Sequence, residues 1–176
     1  MNRAELIETL KNYNPYNETE ARDCFRMIEL LNTYENCFSR DLLFAHFTAS
    51  SWVTNFDESE VLLIHHKKLN RWLQPGGHCD GDENVKAVAE KELLEETGLI
   101  CEAEPHIFDL DIHAIPERKG VPAHEHFDIR FLFKADSRQA LIQNHETNAL
   151  KWIPIEELNA YCTEDSMLRM RDKLNK

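Results

Sequence analysis

Glu92, Glu95 and Glu96 stand at i, i+3 and i+4 in VKAVAEKELLEET, a run of good helix formers that stops at Gly98. At that spacing the three carboxylates project from one face of a helix. Like charges so placed repel, and no basic run beside them offsets the cost. A hard cation held among them does, and clustered carboxylates with positions left open for water and phosphate oxygens suit Mg²⁺ or Mn²⁺. The simpler reading of a glutamate-rich helix is a solvated face. That reading leaves unexplained the glycine-bearing loop before the helix, Gly77-His78-Cys79-Asp80-Gly81, and its fixed offset from the glutamates.

The offset is specific. Five residues separate Gly77 from Glu83, seven more lead to Lys91-Glu92, and Leu93, Glu95, Glu96, Gly98 and Leu99 follow in register. The pattern resembles the signature of the Nudix hydrolases, with Lys91 where that family has arginine. Lysine keeps the charge and loses the planar fork that grips a carboxylate with two bonds. The resemblance extends through HFTASSWV, WLQPGGH, DIHAIPERKGVPAHEHFDIRFLF and a late Glu-to-Trp-to-Glu-Glu-Leu order, from about His46 to Leu158.

This resemblance implies an α/β fold: an α/β/α sandwich around a mixed sheet, with the signature loop and helix carrying the metal site. It implies hydrolysis of a nucleoside diphosphate derivative to a nucleoside monophosphate and a phosphorylated second moiety, with Mg²⁺ or Mn²⁺ as cofactor. Glu92, Glu95 and Glu96, with the Gly77 carbonyl, are the implied metal ligands. Glu92 is a candidate base, as in some relatives, and Glu146 in a later loop is the alternative. Glu83 is expected to hydrogen-bond near the loop–helix junction and Lys91 to orient Glu95. Many relatives are dimers, so a homodimer is a further expectation. Two other readings stay open. One is a Nudix-fold nucleotide-binding or regulatory module of weak activity, for which Lys91 speaks. The other is a zinc-using hydrolase built on histidines.

The histidines prompt that last reading. His113, His124 and His126 flank one loop, and His78 follows the signature glycine. If His124 and His126 lie on a strand they share a face. They could then hold a transition metal, grip substrate phosphates, or simply be hydrogen-bonded imidazoles.

The rest of the chain must position these groups. Residues 1–40 are expected to be a helical extension packed on the core, with Leu6, Ile7 and Leu10 on one face and Cys24, Ile28 and Leu31 on another. Asn17 with Glu20 three residues on resembles a capping arrangement. Residues 41–176 form the expected hydrolase domain. Its strands are HFTASSWVTN, the apolar run from Val61, the alternating stretch 107–113 and HFDIRFLFK, followed by a C-terminal helix from about Ser166. Trp52, Trp72, Phe127 and Phe131 could stack a base, although aromatic residues on strands usually serve the core.

Composition narrows the partners. The net charge of −12 disfavours nucleic acid or an anionic membrane as the main partner. Five scattered cysteines without a CxxC pair suggest neither a disulfide framework nor a zinc knuckle, and fit a reducing cytoplasm. The charged N-terminal stretch does not read as a signal peptide, and no apolar run reaches the length of a membrane span.

Overall fold

Ten consecutive residues, Ala45–Thr54, are buried on both faces and form β1, the middle of the sheet. In the computed structural model, which describes residues 1–118 and 120–174, the other strands are β2 (Glu60–His66), β3 (Arg71–Leu73), β4 (Gly76–His78), β5 (Ala103–Ile115), β6 (His124–Lys134) and β7 (Thr147–Pro154). The helices are α1 (Arg3–Lys11), α2 (Glu18–Thr33), α3 (Val85–Thr97) and α4 (Asp165–Leu174), with a 3-10 turn over Ile155–Ala160. The seven strands make one mixed sheet in the order β3-β2-β1-β6-β5, with β4 pairing to β1 and β7 to β2. β1 and β6 run parallel over their whole length, His46 opposite His126 and Thr48 opposite Asp128.

Alternation along the strands divides the core into two layers. Phe47, Ala49, Val53 and the β6 residues Phe127, Ile129, Phe131 and Phe133 face α1, α2 and α3. Trp52, Val61, Leu63 and Ile153 face the 3-10 turn and α4, through Leu158, Met167 and Met170. The chain is thus an α/β/α sandwich. Trp52, Phe127 and Phe131 are core residues, as strand aromatics usually are.

The helices begin and end for local reasons. Asn2 and Glu5 close a reciprocal capping box on α1. The Asn17 side chain accepts the Glu20 N–H, but the Glu20 carboxylate turns to the Tyr16 N–H and the Tyr13 hydroxyl instead of completing a box. Asn84 caps α3, and Gly98 ends it at φ 74°, where a side chain would be strained. The helical expectation for residues 1–40 fails beyond Thr33. Asn32 and Thr33 bond back to the carbonyls of Ile28 and Glu29, and Arg3 takes up those of Leu31 and Tyr34. The chain then turns, so that Cys37 and Phe38 drop into the core.

Candidate active site

β4 is three residues long, and its pairing places the signature loop. Ser50, Ala49 and Thr48 of β1 stand opposite Gly76, Gly77 and His78. α3 packs on the same rungs, with Ser51 Oγ donating to the Ala89 carbonyl at 2.9 Å. Two glutamates one helical turn apart therefore meet two successive glycines. A Cβ on Gly77 would fall 2.5 Å from the Glu92 carboxylate carbon, so the backbone touches that carboxylate only because glycine stands there. The Gly76 N–H donates to Glu96 Oε2 at 2.9 Å. Glu95, on the outer side of α3, is half exposed.

Burial dominates the electrostatics. Glu96 is 4% exposed, and desolvation pushes its carboxyl up to about 8 against the pull of the Gly76 N–H, with the charges of Glu92, Glu146 and Glu95 adding to the push. Glu92 is raised by burial as well; Lys91 opposes the rise and Glu95 adds to it. Lys91 Nζ lies 3.6 Å from Glu92 and 3.7 Å from Glu95, so it serves both carboxylates and not Glu95 alone. Two under-neutralised, largely buried carboxylates with a third at the rim, beside a bare glycine backbone, fit a hard divalent cation.

Glu83 accepts from the backbone N–H and the Nε of Arg3, which fastens α1 to the loop ahead of α3. Glu146 precedes β7, and its carbonyl accepts the Lys67 N–H. Its partly exposed carboxylate lies 3.9 Å from Lys68, and its charge is felt at Glu96.

The four histidines singled out in the sequence converge, and a fifth joins them. His124 and His126 sit on β6, His113 opposite His126 on β5, His78 on β4, and His46 opposite His126 on β1. His126 Nε2 lies 3.2 Å from His78 Nε2 and 3.2 Å from His124 Nε2. The His46 ring centroid is 5.2, 5.0 and 5.1 Å from those of His78, His124 and His126. His113 Nδ1 bonds Asp111 Oδ2 at 3.0 Å. Burial lowers His46, His78 to about 4 and His126 to about 2, which keeps these imidazoles neutral near pH 7. Sequence reasoning missed His46. The available signal was its parity with Thr48 and Ser50 on one face of HFTASS.

Below the histidines the same face carries a buried ionic layer. Asp128 accepts from Thr48 and Ser50 at 2.9 and 2.8 Å and from Arg130 Nε at 2.7 Å. Arg130, 3% exposed, also bonds Asp109 and Asp111 at 3.2 and 3.0 Å, and Arg169 of α4 grips Asp109 through two nitrogens. This layer ties the sheet to α4. Cys79, in the signature loop, is buried and its thiol is pushed well up, the state of a filler residue and not of a reactive thiolate. Among the described residues, no helix is long and apolar enough to cross a membrane.

Comparison with known proteins agrees with this geometry. A "Probable DHNTP pyrophosphohydrolase" of Lactococcus lactis is 30% identical over 87 residues, 48% of this chain and 52% of that protein. The phosphatase NudJ of Escherichia coli K12 is 31% identical over 90 residues, 49% of this chain and 54% of that one. The chain thus spans about half the length of these two curated relatives. Among solved structures, an Ap4A hydrolase of C. elegans superposes with a TM-score of 0.60 at 19% identity, over 73% of this chain and 94% of its own, a likeness of fold. The NUDIX domain model matches residues 45–174, which take in β1, the signature loop, α3 and α4. This chain belongs to the Nudix hydrolase family.

Proposed function

We propose that the chain is a Mg²⁺- or Mn²⁺-dependent pyrophosphohydrolase that adds water across the pyrophosphate of a nucleoside diphosphate derivative, giving a nucleoside monophosphate and a phosphorylated second moiety. The observation that carries this reading is the alignment of Glu92 on Gly77 and of Glu96 on Gly76, beside Glu95. Glu92, Glu95, Glu96 and the Gly77 carbonyl are the proposed ligands. When bound, the divalent ion supplies charge neutralisation at the pyrophosphate oxygens and lowers the pKa of water.

The chain's own residues do the rest. Glu92, raised by burial, is the first candidate to take the proton of the attacking water, since a base works best with a pKa near the working pH. Glu146 is the alternative. Lys91 fixes the carboxylates it borders, and Glu83 holds the loop through Arg3. We take residues 41–176 as the catalytic unit and residues 1–40 as an extension that supports its signature loop. The names of the two curated relatives, a pyrophosphohydrolase and a phosphatase, support phosphate chemistry. Only the first names a substrate.

The test is phosphate release, through a coupled phosphatase, from a panel of nucleoside diphosphate derivatives with Mg²⁺ or Mn²⁺, for wild type and Glu95→Gln. Metal-dependent turnover of one class, lost in the variant, is the expected result. Turnover that is equal in the variant, or absent across the panel, rejects the proposal. Glu146→Gln run beside it separates the bases: a loss of several hundredfold with metal affinity intact assigns the proton to Glu146, and near-normal turnover leaves it with Glu92.

A further inference from the structure

Strand parity places the histidine cluster on the opposite face of the sheet from the glutamates. Gly77 presents its Cα to Glu92, whereas the next residue, His78, stands opposite Thr48 and on the face of His46. Three of these imidazoles, His46, His124 and His126, bring ligand nitrogens within 4.8 Å of one another. His78 joins them through its 3.2 Å contact with His126.

Hydrogen bonding among the rings does not account for the cluster. His126 Nε2 carries either one proton or one lone pair and faces two nitrogens at 3.2 Å, so the two contacts cannot both be linear two-centre hydrogen bonds. His46 is 4% exposed, and its Nε2 is buried without a partner. Outward bonds set the tautomers in the way metal-binding histidines need. His124 Nδ1 reaches the Pro122 carbonyl at 2.8 Å and His46 Nδ1 the Leu42 carbonyl at 3.3 Å. Each donates its Nδ1 proton there and leaves Nε2 as a lone pair, that of His124 standing 3.2 Å from His126 Nε2.

Two of the nitrogen–nitrogen spacings are those of a coordination shell. Zn–N bonds of about 2.0–2.1 Å at tetrahedral angles separate neighbouring nitrogens by about 3.3 Å. The two Nε2···Nε2 contacts of 3.2 Å lie at that value. The nearby cation, Arg40, is held by both oxygens of Asp80, which mutes its repulsion of a bound ion. An all-imidazole set selects a borderline transition metal over Mg²⁺ or Ca²⁺.

We propose that His46, His78, His124 and His126 bind one transition-metal dication of the zinc class, at a site separate from the carboxylates and on the other face of β4. His113, tied to Asp111, packs against His126 as a buttress outside the four. A metal there joins β1, β4 and β6 directly behind Gly77, so it stiffens the turn that carries the carboxylate site.

The test uses untagged full-length protein stripped with chelator, titrated with Zn²⁺ against a chromophoric competitor, and loaded with Co²⁺ for its visible spectrum. Wild type should take up one equivalent of zinc, undisturbed by a large excess of Mg²⁺, and give the intense d–d bands of tetrahedral cobalt. His124→Ala, on the solvent side of the cluster, should weaken binding by at least about tenfold, and His124→Ala/His126→Ala should abolish it. His106→Ala, an exposed histidine elsewhere, and Glu95→Gln should both bind as wild type does. Zinc uptake well below one equivalent in wild type overturns the proposal, as does equal uptake by the double variant. Loss of zinc in Glu95→Gln overturns the separateness of the site. None of these outcomes depends on turnover, so the hydrolase reading stands or falls independently.

Discussion

The Gly76 N–H donates to Glu96 Oε2, and this bond ties the start of β4 to α3 one helical turn beyond the carboxylate that meets Gly77. Glu96 holds a proton in the metal-free protein because burial lifts its carboxyl to about 8, above the usual carboxylate range near 4. A raised folded-state pKa adds stability that is complete below the unfolded value and disappears as pH rises through the folded one. In chelator, wild type should therefore lose stability between about pH 5 and 8 at up to roughly 1.4 kcal/mol per pH unit from this group. Glu96→Gln keeps an acceptor for the Gly76 N–H and carries no charge. It should gain on wild type across that window by up to about 4 kcal/mol in urea unfolding, and Mg²⁺ should then rescue wild type only. Parallel stability curves for the two proteins would mean that Glu96 is ionised without metal.

Gly77→Ala separates catalysis from folding. The added Cβ meets the end of the Glu92 side chain, which can swing aside, and not backbone. Stability should fall by less than about 1 kcal/mol, while kcat/KM falls about 100-fold, because a carboxylate moved by about 1 Å no longer meets its target. A variant that unfolds readily and keeps its turnover per folded molecule contradicts this.

The signature stretch was the legible part of this chain. The offset between Gly77 and the glutamates, the Asn84 cap and the Gly98 stop are local, and all lie on one loop and one helix. What escaped reading depends on which strands become neighbours. The alternation in 107–113 suggests a half-buried strand with polar residues facing water, yet Asp109 is wholly buried and its face is closed by Arg130 and Arg169. Arg130 within HFDIRFLF carries no hint of three aspartate partners, since two of them belong to β5. His46 lies far from His126 in the chain, and only the parallel β1–β6 register makes them face each other. Pairwise register is a tertiary property, so one sequence does not disclose it.

Lys91 is the departure from the family pattern, and its geometry calls for a small effect. Its ammonium is exposed and lies 3.6 and 3.7 Å from the carboxylates of Glu92 and Glu95, and an ion pair held by a solvated lysine contributes about 0.2–1 kcal/mol. Lys91→Met should lower kcat/KM by less than about tenfold, with the deficit shrinking as salt rises. Lys91→Arg should leave kcat within about threefold of wild type. A gain of a hundredfold in Lys91→Arg would instead show that lysine disables the site, and would favour a binding module over an enzyme.

Arg130 gives the largest predicted loss of stability. Burial by itself pushes Asp111 and Asp109 upward, but Arg130 and His113 at the first, and Arg169 and Arg130 at the second, more than reverse the push and hold both below the usual carboxylate range. A depressed folded-state pKa contributes stability that is present above the unfolded value near 3.9 and is lost as pH falls through the folded one. Arg130→Met removes the shared cation and leaves Asp128 and its neighbours buried beside a thioether. The cost should be about 3–5 kcal/mol at pH 7. Without Arg130, Asp109 and Asp111 should hold protons more readily, so the variant's deficit against wild type should be smaller at pH 5 than at pH 7. Asp128→Asn added to Arg130→Met should recover part of the loss, since it removes one of the charges left without a partner. Urea unfolding of wild type, Arg130→Met and the double variant at the two pH values decides it. A deficit that is unchanged with pH and unrelieved by Asp128→Asn would assign Arg130 to packing and not to charge.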